Sequence, residues 1–358
     1  MTTRDLTELR RLAAEMRLHI ARMLGPNKAH HFGGSLSAAD IVTALYFSKM
    51  RYDPQDPCWP ERDRFIMSKG HCVPAQYTAL AMLGVFPIEE LYTMKKLGSR
   101  LQGHPAMHYT PGLEACTGSL GQGLSYANGM ALAGRIQGIA YHVYCLIGDG
   151  EMQEGQVWEA MSTTVKHCLG NVTAIIDWNG LKAMDATACA KEMQPMAERW
   201  QAFGWRAREI DGHDMGQICA ALDWAAEEGS TPAMILAHTV KGKGISFMEG
   251  QPQFHNAAVT PEQIQQAITE LEAQLDLCRG AACCAQDDAA CCAQDDAACC
   301  AHGDAACCAQ DDAACCAQDG AACCAQDGAA CCAQDGAACC AQDGAEANDR
   351  WPRASQEV

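Results

Sequence analysis

Short apolar runs alternate with amphipathic segments through residues 5–275, and this alternation predicts an α/β fold. Apolar runs bounded by glycine or polar residues are typical of buried parallel strands. The predicted strands are residues 64–68, 141–147, 172–177, 205–210 and 233–239. The helices predicted between them include residues 124–135, 154–166 and 214–228. The fold class that follows is a doubly wound, mostly parallel sheet flanked by helices.

Helices are also predicted before and after this alternation. Residues 5–24 have the spacing of an amphipathic helix that ends at a Gly-Pro pair. Its apolar face carries Leu6, Leu9, Ala13, Met16, Ile20 and Met23, with the arginines on the opposite face. We expect Ser37 to cap a helix that runs to Lys49. A final helix is expected to start at Thr260 and to end near Leu275.

The C-terminal segment, residues 277–358, differs in composition from the rest of the chain. Between residues 281 and 344 an octapeptide of the form AACCAQD(D/G) repeats eight times and holds 16 of the 24 cysteines. A segment without large apolar residues cannot bury a core, so we expect this tail to be disordered and residues 1–276 to form the folded domain. The cysteine pairs suggest metal binding, but zinc sites usually use separated cysteines, which favours expansion of a short repeat.

Charge and cysteine usage exclude several classes of protein. The net charge is −18, and the tail carries −11 of it, so nucleic acid is not an expected partner. The cysteines before the tail show no paired spacing, and no signal peptide precedes them, which indicates the reducing cytoplasm. No apolar run reaches the length of a membrane span.

Two polar side chains follow consecutive predicted strands. Asp149, between two glycines, follows strand 141–147, and Asn179 follows strand 172–177. Ligands of open α/β sheets bind at the carboxyl edge, where these side chains should meet. Both are hard oxygen donors of the kind that Mg²⁺ shares with phosphate oxygens. The alternative is that Asp149 only caps a helix, but the pairing with Asp-Trp-Asn favours a metal site.

Four histidines lie in predicted loops, namely His31, His71, His104 and His255. Because the pKa of histidine lies near neutral pH, such loops can supply proton transfer in a cleft. Each histidine alone is equally compatible with a surface loop or a helix cap. A glycine-rich turn at 118–123 opens the predicted helix 124–135, whose first amides can face a diphosphate. No strand precedes that turn, so it is not a dinucleotide-binding fingerprint.

These motifs together resemble the transketolase family. The resemblance is carried by HFGGSLSAADI, DRFIMSKGH, GHPAMHYTPGLEACTGSLGQG and GDGEMQEGQVWEA, in the family's order. It extends from about residue 10 to about residue 275 and covers only the N-terminal part of a full-length transketolase. His30 stands where the family usually has glycine.

The resemblance implies thiamine diphosphate and Mg²⁺ as cofactors and transfer of a two-carbon ketol unit, as in the pentose phosphate pathway. The implied catalytic residues are His31, His71, His104, His255 and Glu154. The implied cofactor-binding residues are His71, Gly118, Ser119, Leu120, Gly121, Gly148, Asp149, Gly150, Glu151 and Asn179. The implied metal ligands are Asp149, Asn179 and the backbone near Leu181.

The resemblance also implies a partner. In the family, the glutamate that activates the aminopyrimidine of the cofactor lies in the next domain, and this chain has the repeat there. We therefore expect a C-terminal subunit with the pyrimidine-binding domain, sugar phosphate substrates, and two copies of each chain. The small residues of helix 124–135 suit close packing, and the family's subunits meet there.

Two other functions remain open from the sequence. One is a related thiamine enzyme, such as a deoxyxylulose-phosphate synthase or a 2-oxo acid dehydrogenase component. The histidine set favours sugar handling over oxo acids. The other is a non-catalytic module that binds a cofactor or a partner, which the missing domain and the unusual tail would suit.

Overall fold

A five-stranded parallel sheet forms the centre of the protein, seen in a computed structural model that describes residues 5–181, 193–227 and 229–285. The strand order is β1-β2-β3-β5-β4, and every neighbouring pair is parallel. The strands are β1 (Arg64–Met67), β2 (Val143–Gly148), β3 (Val172–Trp178), β4 (Arg206–Asp211) and β5 (Ala233–His238). The predicted sheet is confirmed, since all five predicted strands are present in it.

Helices cover both faces of this sheet. They are α1 (Leu6–Leu24), α2 (Phe32–Ser37), α3 (Ala39–Ala44), α4 (Val73–Met82), α5 (Gly123–Gln137), α6 (Gly155–Lys166), α7 (Met196–Ala202), α8 (Met215–Ala225) and α9 (Pro261–Ala285). A π-helical turn, Leu45–Lys49, follows α3, and short 3₁₀ turns span Gly70–Cys72, Ile88–Thr93, Gly150–Gln153 and Pro252–His255. Within the described ranges no helix is long and apolar enough to cross a membrane.

Alternation along the strands divides the core into two layers. In β2, Tyr144 and Leu146 join the layer formed with α1, α3, α4, α8 and α9. Val143, Cys145 and Ile147 point the other way, into the layer formed with α5, α6 and α7. Successive strand side chains lie on opposite faces, so a strand covered on both faces is apolar throughout. The doubly wound arrangement is therefore built from the same runs that predicted the strands.

Two local predictions differ from the structure. Ser37 does not cap a helix to Lys49: it ends α2, and its hydroxyl donates to Asp177 Oδ2 at 2.6 Å. Arg17 does not lie on a solvent face, because its guanidinium is buried against Asp40. In both cases a carboxylate that is distant in sequence determines where the side chain lies, namely Asp177 for Ser37 and Asp40 for Arg17.

The final helix is longer than expected. α9 continues past Leu275 to Ala285 and packs along α1. The predicted domain boundary at residue 276 thus falls inside a helix. The repeat from residue 286 onward lies outside the described residues, as does the expected disorder of the tail.

Candidate active site

Asp149 joins the carboxyl ends of two neighbouring strands. It follows β2, and its Oδ1 accepts the Gly150 amide at 2.7 Å. Its Oδ2 accepts the amide of Gly180, just after β3, also at 2.7 Å. The side chain is buried, and burial together with the nearby Asp177 carboxylate raises the pKa of Asp149 to about 6. A cation placed here would relieve that penalty on the charged form.

The other predicted metal donors lie in the same turn. Asn179 Oδ1 accepts the Leu181 amide at 3.3 Å, and Gly180 between them is held by Asp149. No group of three or more histidine, cysteine or acidic side chains in the described part of the chain has a metal-binding arrangement. One carboxylate, one amide and one carbonyl would provide a partial oxygen shell that diphosphate oxygens and water can complete, as Mg²⁺ prefers. The residues present therefore fit the metal and the diphosphate.

Lys241 is a buried cation at this edge that the sequence reasoning did not identify. Its Nζ donates to the Leu181 carbonyl at 2.7 Å and lies 3.0 Å from His255 Nδ1. Only 2% of the residue is exposed, and burial lowers the pKa of its ammonium. Hydrogen bonds from the Gly242 amide to the Gly33 carbonyl and from the Gly250 amide to the Lys241 carbonyl anchor residues 239–244. Lys241 lies three residues past the end of β5, where a lysine is ordinarily solvated, so the sequence carried no signal of its burial.

A second buried cation, Lys69, pairs with Asp177 at the end of β3. The pair is also new relative to the sequence reasoning. The carboxylate accepts hydrogen bonds from Ser37, at 2.6 Å, and from the Thr239 hydroxyl. Burial opposes the charge of Asp177, but the Lys69 charge and the hydrogen bonds from Lys69, Ser37 and Thr239 together outweigh it and lower the pKa of that carboxyl. The pair fixes the ends of β1 and β3 below the predicted metal site.

Glu151, predicted to bind cofactor, is buried and directed at the protein itself. Its carboxylate accepts the Ser68 hydroxyl, the Gly121 amide at 2.8 Å and the Gly148 amide at 3.0 Å. Burial raises the pKa of Glu151. The side chain thus holds the glycine turn against the ends of β1 and β2, and a cofactor contact by it stays a prediction.

The four predicted loop histidines come together in one place. The ring centroid of His31 lies 4.9 Å from that of His71, 5.4 Å from that of His255 and 6.3 Å from that of His104. The His71 and His255 rings are 5.1 Å apart. We call these four residues the histidine cluster. Rings from four separate loops converge here. Histidines that served only as surface-loop residues or helix caps would have no reason to come together.

Burial keeps the histidine cluster uncharged. It lowers the pKa of His31 and His255 to about 4, and the neighbouring cations add to the effect. The pKa of His71 falls well below its usual value, and that of His104 is lowered as well. The expectation of titration near neutral pH is therefore wrong for these rings. A neutral imidazole presents one N–H donor and one acceptor nitrogen.

A backbone bridge aligns two loops of the cluster. His30 donates its amide to the Ala257 carbonyl at 3.0 Å, and Ala257 returns the bond at 3.1 Å. This bridge sets His31 beside His255. The His30 imidazole is buried with its Nδ1 unpartnered within the described residues, and burial lowers its pKa to about 4. The chain thus accommodates histidine where the family usually has glycine.

The glycine turn at 118–121 requires glycine for steric reasons. Gly118 has φ +134°, and a Cβ there would lie 2.8 Å from the His104 ring. Gly121 has φ +87°, and a Cβ there would lie 2.8 Å from Glu154 Cβ. Ser119 and Leu120 between them are exposed, as is Glu154 at the start of α6. The predicted cofactor turn therefore lies at the surface beside the histidine cluster.

Comparison with known families decides the assignment. The profile described as transketolase, thiamine diphosphate binding domain, matches residues 10–275. The chain belongs to the transketolase family. Its thiamine diphosphate-binding fold and the extent of the resemblance, both predicted from the sequence, are confirmed.

Relatives of this transketolase chain include separate subunits. A 6-deoxy-6-sulfo-D-fructose transketolase subunit from Clostridium sp. (strain MSTE9) is 44% identical over 244 residues, which are 68% of this chain and 89% of that subunit. One subunit of the apulose-4-phosphate transketolase from Phocaeicola vulgatus is 41% identical over 249 residues, 70% of this chain and 88% of that one. The chain thus corresponds in extent to transketolase subunits.

A solved transketolase shares the fold. The transketolase of Campylobacter jejuni superposes with a TM-score of 0.68 at 30% identity. The match covers 76% of this chain and 45% of that enzyme. This chain therefore supplies the cofactor-binding part of a transketolase and spans less than half of a full-length one.

Proposed function

We propose that this chain is the thiamine diphosphate-binding subunit of a two-chain transketolase. The observation that carries the proposal is the contact of Lys241 with both the Leu181 carbonyl and His255. Through Lys241, the predicted metal edge and the histidine cluster are in direct contact. A diphosphate group at one end and a hydroxyl-rich substrate at the other suit those two chemistries.

Asp149, Asn179 and the Leu181 carbonyl would hold Mg²⁺, and the metal would in turn bind the diphosphate. The Lys241 ammonium and the amides that open α5 would face the same anion. When bound, thiamine diphosphate supplies a nucleophilic carbon that adds to the carbonyl of a ketose. The protein's task is to anchor the cofactor and to orient the sugar.

The histidine cluster is suited to the sugar. Neutral His31, His71 and His255 can accept hydrogen bonds from hydroxyl groups and donate to a carbonyl oxygen. Because these three rings carry no positive charge near pH 7, they do not attract the diphosphate away from Mg²⁺. A hydroxyl proton taken up by such a ring can be returned when the two-carbon unit passes to the aldose. The hydrogen-bonding capacity of the cluster favours a sugar over a 2-oxo acid.

A partner chain would complete the site. The chain corresponds to most of each related subunit but to 45% of a full-length transketolase, and the remainder would come from a chain with the pyrimidine-binding domain. On α5, Tyr126 and Ile136 are exposed, at 42% and 84%, which suits a contact surface. We expect two copies of each chain around shared sites. The cysteines at positions 58, 72, 116, 145, 168, 219 and 278 are free, which favours the reducing cytoplasm.

The substrates we propose are a ketose phosphate donor and an aldose phosphate acceptor of the pentose phosphate pathway. The names of the two subunit relatives refer to a sulfonated and a phosphorylated sugar. Both sugars carry a terminal anion beside several hydroxyls, which agrees with a cluster of neutral hydrogen-bonding rings. A panel of phosphorylated and sulfonated ketoses would identify the donor.

The test is a ketose-to-aldose transfer assay on purified chains with Mg²⁺ and thiamine diphosphate. This chain alone should give no turnover, because the glutamate that activates the aminopyrimidine is expected on the partner chain. Turnover should appear when a chain with the pyrimidine-binding domain is added, while that chain alone stays inactive. Robust turnover by this chain alone would refute the two-chain assignment. Cofactor binding without turnover in the mixture would favour the non-catalytic alternative.

A further inference from the structure

A buried chain of hydrogen bonds leads from α1 to the loop that carries Lys241. The Arg17 guanidinium pairs with Asp40 Oδ2, and the same oxygen lies 2.6 Å from His213 Nδ1. The opposite ring nitrogen, His213 Nε2, accepts the backbone amide of Val240 at 2.8 Å. Val240 directly precedes Lys241. The imidazole therefore connects a buried ion pair to the backbone beside the predicted cofactor edge.

The hydrogen bonds assign the tautomer of His213. A backbone amide can only donate, so Nε2 must be the unprotonated acceptor, and the ring proton lies on Nδ1. That proton is donated to Asp40. Burial opposes the charge of this carboxylate, but Arg17 and His213 outweigh it and lower the pKa of Asp40. An ionised Asp40 is thus a fixed acceptor that orients the ring toward Val240.

The hydrogen bond between the Val240 amide and His213 lies between two other contacts that hold the loop after β5. On one side, the Thr239 hydroxyl donates to Asp177. On the other, Lys241 reaches Leu181. Gly212, next to His213, packs so closely that a Cβ there would lie 2.5 Å from Thr239 Cγ2. The turn after β4 is therefore pressed against the loop after β5, with His213 as its polar contact.

We propose that His213 is a positioning residue of the cofactor site, acting through the Val240 amide to hold Lys241 at the Leu181 carbonyl. It touches neither the predicted metal donors nor the histidine cluster. The proposal rests on the proposed function in that Lys241 faces the diphosphate. Loss of the imidazole acceptor should release the backbone before Lys241 and weaken cofactor binding without removing any group that binds the cofactor.

The experiment compares His213→Asn with His213→Gln in the full chain. The shorter Asn can donate to Asp40 but cannot reach the Val240 amide, whereas the Gln oxygen can take the position of Nε2. His238→Gln is the matched control, because His238 is exposed on β5 and contacts Glu209. Amide hydrogen exchange is measured on the free chain, and thiamine diphosphate affinity by calorimetry with Mg²⁺ and the partner chain.

In His213→Asn, exchange at residues 240–242 should rise about fivefold to tenfold, the loss of one hydrogen bond, while β5 stays protected. Cofactor affinity should fall by a similar factor, and His213→Gln should restore both. In a Lys241→Met background, His213→Asn should cause no further loss of affinity, because the effect passes through Lys241. Amide exchange is measured without cofactor, so it reports on the bond between His213 and Val240 even if the chain does not bind thiamine diphosphate. Failure of the positioning role is therefore distinguishable from failure of the proposed function.

Several results would overturn the proposal. Unchanged exchange at residues 240–242 in a folded His213→Asn would do so. So would equal increases in β5, which indicate general destabilisation, or full additivity with Lys241→Met. If His213→Asn does not fold, His213→Gln decides: protection of Val240 with wild-type affinity supports the role, and lost protection with wild-type affinity refutes it.

Discussion

Lys241 Nζ and His255 Nδ1 lie 3.0 Å apart, and the contact joins the loop after β5 to the histidine cluster. A lysine ammonium only donates, so the histidine nitrogen is the acceptor and its proton sits on Nε2. If the proposed function holds, this N–H would face a sugar oxygen. One hydrogen bond would then couple the anchoring of the cofactor to the orientation of the sugar.

Asp149→Ala should abolish Mg²⁺-dependent binding of thiamine diphosphate. It removes the only carboxylate among the three predicted metal donors and leaves the Gly180 amide without its acceptor. We expect an affinity loss of about 100-fold or more, measured by calorimetry with the partner chain present. Asp276→Ala, at an exposed pair with Arg279, is the control and should bind normally. Equal affinity in the two variants would contradict the site assignment.

Lys69→Met should destabilise the fold strongly. It leaves Asp177 buried without its cation, and breaking a buried pair on one side costs about 3–5 kcal/mol. Urea unfolding of the free chain measures the effect. Arg279→Met, which breaks an exposed pair with Asp276, should change the free energy of unfolding very little. A Lys69→Met chain as stable as that control would show that Asp177 is not held as described.

Stability should fall as the pH drops from about 6.5 to 4. Burial lowers the pKa of His142 to about 4 in the folded chain, while an unfolded histidine titrates near 6.5. The unfolded state therefore binds the proton first, so the contribution of His142 is complete above that window and is lost within it. The free energy of unfolding, obtained from urea titrations across this range, should fall less steeply in His142→Gln than in the wild-type chain. The difference between the two slopes should correspond to about one bound proton. An equal slope in His142→Gln and in the wild-type chain would contradict the shift.

Truncation after Ala285 should leave stability and cofactor affinity unchanged. The cut keeps all of α9, including Leu275, which is buried against α1, and the partly buried Cys278. A melting temperature within about 2 °C of the full chain is expected, because the repeat lacks apolar side chains to bury. A larger fall, or loss of bound zinc on truncation, would show that the cysteine repeat is part of the folded protein.

The sheet could be predicted because each strand is marked by the residues of its own segment. The strands β2, β3 and β5 are covered on both faces and are therefore largely apolar, so each of these runs marks its own strand within about two residues. The histidine cluster was predictable only through the family resemblance, since nothing in the spacing of His31, His71 and His255 places their rings together. Asp149 and Asn179 were found from their positions after consecutive strands.

The contacts that sequence reasoning missed join distant residues. Arg17 and Asp40 lie 23 positions apart, and Lys69 and Asp177 lie 108 apart. A lone arginine on a helix or lysine after a strand predicts a solvated charge. Whether such a charged side chain is buried instead depends on an oppositely charged partner that only the tertiary structure supplies. Ser37 was misplaced for the same reason, since a local capping pattern competes with an acceptor 140 positions away.

The bridge between His30 and Ala257 uses main-chain groups alone. Main-chain hydrogen bonds need no particular side chain, and only proline, which lacks the amide hydrogen, would remove a donor. At position 257 the bridge therefore tolerates any other residue, whereas at position 30 a replacement must also fit the buried site of the imidazole. The neighbourhood of His31 and His255 is thus encoded by the path of the main chain and is insensitive to most changes of residue 257.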